Sequence, residues 1–286
     1  MNKYYLIFII FIILLFLCLC LYLYLIYKTK NVKTNIINYN LLKDGICIIK
    51  DSLTNEEIEE LIKHSNNNNY KLVKEQIINN KKINNAIVQK TGNSYEFHDY
   101  IFIIKKSAIH TCHRDANGSM FNNIKHPSYT MILYLEDMDR CLGVIPQSHL
   151  DNSFDINITN KVKDVLCKKG DILLFDANII HTGIILDSPN NLRVQMKISH
   201  KDDIPILSYY TNYNKIMNES NSNPVFMQKI QQNISCMLPV ISNYTQNDVK
   251  NSVKYVSNDN VLLNQKIFSY LLYGSKDYNN LENTFS

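Results

Sequence analysis

The run Tyr4–Tyr27 contains no charged residue. A segment of about 20 apolar residues is long enough to cross a bilayer as a helix, and in lipid only a helix or a closed barrel satisfies its own backbone. Tyr4, Tyr5, Tyr22, Tyr24 and Tyr27 stand towards its ends, where amphipathic rings favour the interface. A cleaved signal would have a shorter apolar core and a small-residue cleavage site. This run ends Leu25-Ile26-Tyr27-Lys28, with no small pair. Residues 1–30 are therefore expected to be a retained single-pass anchor, with membrane lipid as partner of residues 4–27. Lys28, Lys30 and Lys33 follow the run and Lys3 precedes it. By the positive-inside rule this small margin favours a cytosolic domain over a luminal one. The Asn-x-Ser/Thr sequons at Asn117, Asn157, Asn218, Asn233 and Asn243 carry no weight on topology, because Asn is abundant throughout.

Beyond a tether over residues 31–40, the chain reads as short strands separated by turns, a pattern that fits a sandwich or jelly roll. Leu41–Lys50 is strand-like. Thr54 followed by Glu57 forms a capping box that opens a helix, and this helix fades in the Asn66–Asn69 run. Residues 70–92 are ambiguous and could carry a strand and a short helix. Further strands are expected over Tyr100–Ile109, Tyr129–Leu135, Ile172–Phe175 and Leu192–Ile198, the last alternating apolar and polar residues as a half-buried strand does. Residues 41–203 are long enough for one core. Residues 204–286 read as a helical extension, with helices over Pro224–Leu238, capped by Asn223, and Val261–Tyr273.

Within the β region, His113-Arg114-Asp115 sets two metal-ligand types two residues apart. In a strand, residues i and i+2 share a face, so His113 and Asp115 project together and Arg114 points away. A third ligand is needed, and His181 supplies it after the run Gly170-Asp171-Ile172-Leu173-Leu174-Phe175. Two His and one carboxylate with open positions make the facial triad of non-haem Fe(II) oxygenases. Of the 30 Lys and Arg residues only three are Arg. Arg193 is either a surface residue or a planar two-pronged clamp for a carboxylate, a role Lys cannot fill.

Several classes are excluded. A net charge of +4 over 286 residues, with no basic stripe interleaved with aromatics, does not fit nucleic-acid binding. The seven Cys residues contain no C-x-x-C pair, against a zinc knuckle or a disulfide scaffold. Cys112 is expected to be a small apolar filler.

These motifs, in this order, resemble the phytanoyl-CoA dioxygenase family of Fe(II)/2-oxoglutarate oxygenases. The resemblance runs from about Leu41 to His200. It rests on the strand and helix before H-x-D, on Ile145-Pro146-Gln147-Ser148-His149 (similar to the family's P-G-S-H), and on G-D-x-L-x-F followed by the distal His and Arg. It implies a double-stranded β-helix, Fe(II) on His113, Asp115 and His181, Arg193 on the distal carboxylate of 2-oxoglutarate, and O2 as second cosubstrate. With Asp115 present, the expected outcome is hydroxylation of an unidentified lipid, small molecule or protein side chain. Two departures stand out: Gly183 where members often carry a hydroxyl residue, and Gln147 where they carry Gly. Tyr134, Gln147, His149 and Gln195 are further pocket candidates, and no catalytic residue is expected beyond the metal centre. The alternatives are a non-catalytic β-helix binding module and a zinc-dependent hydrolase.

Overall fold

The computed structural model describes residues 3–28, 32–34, 38–115, 124–151, 162–185 and 191–239, with residues 263, 267, 270, 271 and 274. In chain order the elements are α1 (Lys3–Lys28), β1 (Val32–Thr34), α2 (Leu41–Asp44), β2 (Ile46–Ile49), α3 (Asn55–Asn66), α4 (Tyr70–Ile78), α5 (Lys81–Thr91), β3 (Tyr95–Phe97) and β4 (Tyr100–Lys106). They continue with β5 (Tyr129–Tyr134), β6 (Met138–Ile145), β7 (Lys163–Cys167), β8 (Ile172–Asp176), β9 (Ile180–Thr182), β10 (Arg193–His200), β11 (Tyr213–Asn218) and α6 (Val225–Met237). The protein is mainly β with flanking helices. Among the described residues one helix, α1, is long and apolar enough to cross a membrane, and its Leu6–Tyr24 window is not buried within the structure.

Two mixed sheets face each other. The larger runs β11-β4-β10-β5-β8-β2, with β3 also pairing with β10, and the smaller runs β1-β7-β6-β9. Alternation along each strand sorts the side chains into two layers. Ile132 and Tyr134 of β5, Leu173 and Phe175 of β8 and Ile46 of β2 pack with Leu142 and Val144 of β6 and Val165 of β7 between the sheets. Their neighbours Met131, Leu133, Leu174, Val194 and Met196 face the other way. They pack under Ile58 and Leu61 of α3, Val73 and Ile77 of α4 and Ile83 of α5. The three helices thus roof the outer face of the large sheet, and the space between the sheets is left for the site.

The caps explain where these helices start. Thr54 Oγ1 accepts the Glu57 N–H at 3.2 Å, and Glu57 Oε2 accepts the Thr54 N–H at 2.7 Å, closing the capping box. Asn40, Asn69 and Asn80 cap α2, α4 and α5 through their side-chain oxygens. Residues 70–92 accordingly hold two helices and no strand. The strand-like stretch Leu41–Lys50 opens as a helical turn, closed by Gly45 in the left-handed region at φ 76°, and only then becomes β2.

Other boundaries also move. Val32–Thr34, inside the expected tether, pairs in parallel with β7. The region after residue 203, read as helical, first contributes a strand: β11 pairs in parallel with β4. Pro224, not Asn223, occupies the cap of α6, and the Asn223 amide donates instead to the Leu271 carbonyl at 3.0 Å. Most of the helix expected over Val261–Tyr273 lies outside the described residues, although residues 263, 267, 270 and 271 are helical.

Cys112 is not a filler. It forms a disulfide with Cys236 of α6, 124 residues away, a pairing that no short-range spacing could announce. Beside it the Cys112 N–H donates to Ser235 Oγ at 2.8 Å. Gln232 donates to Thr182 Oγ1 at 3.0 Å. Gln231 meets His110 Nε2 at 2.8 Å. The helix α6 therefore braces the segments that carry both His113 and His181.

Candidate metal centre

Backbone pairing brings the two histidines together. His113 and His181 exchange both backbone hydrogen bonds across an isolated antiparallel bridge, at 2.8 and 2.9 Å. Residues so paired project to the same side, and the rings lie 4.3 Å apart between centroids. Asp115 joins from two residues on: its Oδ1 is 3.5 Å from His113 Nε2 and 3.4 Å from His181 Nε2. One donor atom from each of the three lies within 4.8 Å of the others.

The second nitrogen of each ring fixes its tautomer. His113 Nδ1 donates to the Thr111 carbonyl at 3.0 Å, and His181 Nδ1 donates to the Ile179 carbonyl at 3.1 Å. A carbonyl can only accept, so each Nδ1 carries a proton, and in the neutral ring the Nε2 lone pair is then the one that faces the cluster. Metal-bound histidines are oriented in this way. Burial, with the neighbouring His113, lowers the His181 pKa despite the opposing Asp115, which keeps the imidazole neutral. Burial would raise the Asp115 pKa, but opposing causes led by the Lys197 cation outweigh it and hold the carboxyl well below its ordinary value. Two imidazoles and one carboxylate suit a divalent transition metal.

Arg114 points away from the cluster and organises its surroundings. Its guanidinium donates to the Ser148 carbonyl at 2.6 Å and also to the Asn178 carbonyl. Ser148 Oγ in turn accepts the Ile180 N–H at 2.8 Å. One buried cation thereby ties the H-x-D segment to the Pro146–His149 turn and to the approach to His181. In that turn Gln147 is left-handed at φ 68°. A non-glycine residue costs roughly 1–2 kcal/mol there, which explains the Gly of the resembled motif. The Gln147 side chain is exposed. His149 Nε2 donates to the Leu42 carbonyl at 3.1 Å, and its ring lies where a β-carbon on Gly45 would meet it at 2.5 Å. His149 thus pins a loop, and its ring is taken up by α2 and Gly45. His110 is taken up as well, between Ala108 and Gln231.

Arg193, Gln195 and Lys197 share the face of β10 that looks between the sheets. Opposite them on β5 stand Tyr134, Ile132 and Thr130. Tyr134 is fully buried and its hydroxyl donates to the Cys141 carbonyl at 3.2 Å. Arg193 is 8% exposed, and its guanidinium donates to the Asn191 carbonyl at 3.2 Å. It lines a cavity of about 220 Å³ with Gly183, His110, Asn191, Glu219 and Gln228. Gly183 is there for a reason of space: a β-carbon would lie 2.0 Å from the Ile109 carbonyl oxygen. No side chain fits, so the hydroxyl often found at this position in the resembled family has no room.

Sequence reasoning missed Lys197 and Thr130. Lys197 Nζ lies 2.6 Å from Asp115 Oδ2 and 2.7 Å from Thr130 Oγ1. Thr130 donates to the same carboxylate oxygen at 2.6 Å. The available signal was phase, since Lys197 falls in step with Arg193 and Gln195 along a strand.

Fold and site together define a two-sheet β protein with a buried His–Asp–His metal-ligand cluster. Residues 63–184 match the phytanoyl-CoA dioxygenase (PhyH) family model, within the stretch whose motifs resemble that family. No curated protein matches the chain. Among solved structures, the non-haem alpha-ketoglutarate-dependent epimerase SnoN from nogalamycin biosynthesis is 15% identical at a TM-score of 0.48, covering 57% of this chain and 81% of its own. AviO1 from Streptomyces viridochromogenes Tue57 is 14% identical at 0.45, covering 57% and 93%. HygX from Streptomyces hygroscopicus, with nickel and 2-oxoglutarate bound, is 13% identical at 0.43, covering 57% and 85%.

Proposed function

We propose that this protein is a membrane-anchored Fe(II)/2-oxoglutarate-dependent oxygenase of the hydroxylase type, built on a double-stranded β-helix. The observation that carries the reading is the convergence of one ligand atom from each of His113, Asp115 and His181 within 4.8 Å of one another, with Nδ1 of both rings engaged by backbone carbonyls. His113, Asp115 and His181 would hold Fe(II), and Arg193 would clamp the distal carboxylate of 2-oxoglutarate. Bound iron, 2-oxoglutarate and O2 would supply the oxidising chemistry. The chain's own residues do the rest: α6 and Arg114 brace the ligand strands, and Tyr134, Ile132 and the paired sheets keep water from the interior. That Gly183 and Arg193 line one cavity supports a cosubstrate pocket there. The substrate would be a lipid, a small molecule or a protein side chain.

Anaerobic titration of the iron-loaded protein with 2-oxoglutarate tests the reading. One iron and one 2-oxoglutarate per chain, with the metal-to-ligand charge-transfer band of this class, are expected. Tight zinc without 2-oxoglutarate binding would favour a hydrolase, and binding of neither would favour a non-catalytic module.

The anchor proposal rests on α1, which is apolar and uncovered over Leu6–Tyr24. Full-length protein should stay in the membrane pellet through alkaline carbonate extraction, and release into the supernatant would sink the proposal. The lysines that follow α1 favour a cytosolic domain by the positive-inside rule. A second reading is favoured by the Cys112–Cys236 bridge, because disulfides persist in oxidising compartments. Both cysteines are buried, so maleimide labelling of membranes unfolded in denaturant, without and then with prior reduction, decides between them. Cysteines 112 and 236 that label only after reduction put the domain on the oxidising side, and labelling without reduction puts it in the cytosol.

A further inference from the structure

A lysine buried between two sheets is costly unless its charge is met. Lys197 is 6% exposed, and its ammonium lies 2.6 Å from Asp115 Oδ2 and 2.7 Å from Thr130 Oγ1. The Thr130 hydroxyl completes the triangle by donating to the same Oδ2 at 2.6 Å. The two carboxylate oxygens are thereby divided. Oδ2 takes the two donors from β5 and β10, while Oδ1 alone faces the imidazoles, at 3.5 and 3.4 Å.

We propose that Lys197 and Thr130 are positioning residues that hold Asp115 to one donor oxygen at the metal and draw negative charge away from that oxygen. The proposal rests on the metal-centre reading above. Its first consequence is geometric. A carboxylate free to rotate can chelate through both oxygens and fill a coordination position that the chemistry needs open. With Oδ2 saturated by two donors, Asp115 cannot turn in that way. The second consequence is electronic. Outer partners tune how strongly a ligand donates. A full positive charge on the far oxygen makes Asp115 a weaker donor, which favours Fe(II) over Fe(III). A lysine that only neutralised the buried charge would hold the fold without setting the metal's redox preference.

The test is an anaerobic redox titration of the full-length, iron-loaded protein without 2-oxoglutarate. Lys197→Met should still take up one iron per chain. The ratio of Fe(III) to Fe(II) affinity should rise about tenfold, a fall of about 59 mV in midpoint potential. Lys197→Arg keeps the cation and should stay near wild type, and Thr130→Val should shift the potential in the same direction by less. A Lys197→Met protein with full iron and the wild-type potential overturns the proposal. If Lys197→Met does not fold, Thr130→Val decides, and an unchanged potential there also overturns it. A wild-type chain that takes up no iron overturns the metal-centre reading itself, a result distinct from failure of the lysine proposal alone.

Discussion

Asp115→Ala should lose iron binding and stability together, and the two losses should be separable. The carboxylate is the only anionic donor in the candidate cluster. Loss of an outer partner of a metal ligand typically weakens affinity 10–100-fold, so loss of a ligand itself should cost about 100-fold or more. The stability loss has a different origin. Asp115 is the counter-charge of Lys197, and both side chains are nearly buried, at 12% and 7% exposure. Removing one partner of a buried pair costs about 3–5 kcal/mol, because the other charge is left uncompensated. The Thr130 hydroxyl still accepts from Lys197, which places the cost at the lower end. The double variant Asp115→Ala/Lys197→Met removes both charges and should recover most of the stability while still taking up no iron. Asp137→Ala, an exposed carboxylate in the turn before β6, should keep wild-type iron. Iron content after anaerobic reconstitution and thermal melting of the metal-free proteins are the two measurements. Equal iron in wild type and Asp115→Ala would mean that the ligand set is misassigned.

Much of the site was legible in the sequence because its logic is local. The i, i+2 relation in an extended chain sets His113 and Asp115 on one side and Arg114 on the other, and the distances agree. The β8 run that leads to His181 is likewise readable from its apolar content. What could not be read depends on which layer covers a face. The strand Leu192–Ile198 alternates as a half-buried strand does, yet its polar side is largely shielded from solvent, with Gln195 only partly buried. Arg193 and Lys197 are 8% and 6% exposed, because a second sheet lies across them. Alternation reports two unlike faces and says nothing of what packs on each. The helices over residues 70–92 were obscured by composition. In a chain so rich in Asn, Asn69 and Asn80 look uninformative, but at a helix start Asn69 accepts one backbone N–H and Asn80 accepts two. The parallel pairing of β11 with β4 and the Cys112–Cys236 bridge join residues more than 100 positions apart, and no windowed pattern reaches so far.

Replacing Arg193 should separate cosubstrate binding from iron binding. Arg193→Lys keeps the positive charge and loses the planar two-pronged geometry that matches a carboxylate. A hydrogen bond to a charged group contributes roughly 1.5–3 kcal/mol. Loss of one bond of the pair should therefore weaken 2-oxoglutarate about tenfold or more, and Arg193→Ala should weaken it further. Iron affinity should hardly move in either variant, since Arg193 is not among the clustered donors. The contrast is sharper here than in a site with a second contact at residue 183. Gly183 has no room for a side chain against Ile109, so a hydroxyl cannot share the carboxylate from that position, and more of the binding rests on the guanidinium. The measurement is the anaerobic 2-oxoglutarate titration followed by its charge-transfer band, with iron content determined on the same samples. Unchanged affinity in both variants would remove Arg193 from the cosubstrate site while leaving the metal ligands untouched. Loss of iron in Arg193→Lys would instead mean that Arg193 supports the ligand strands through the interior face of β10.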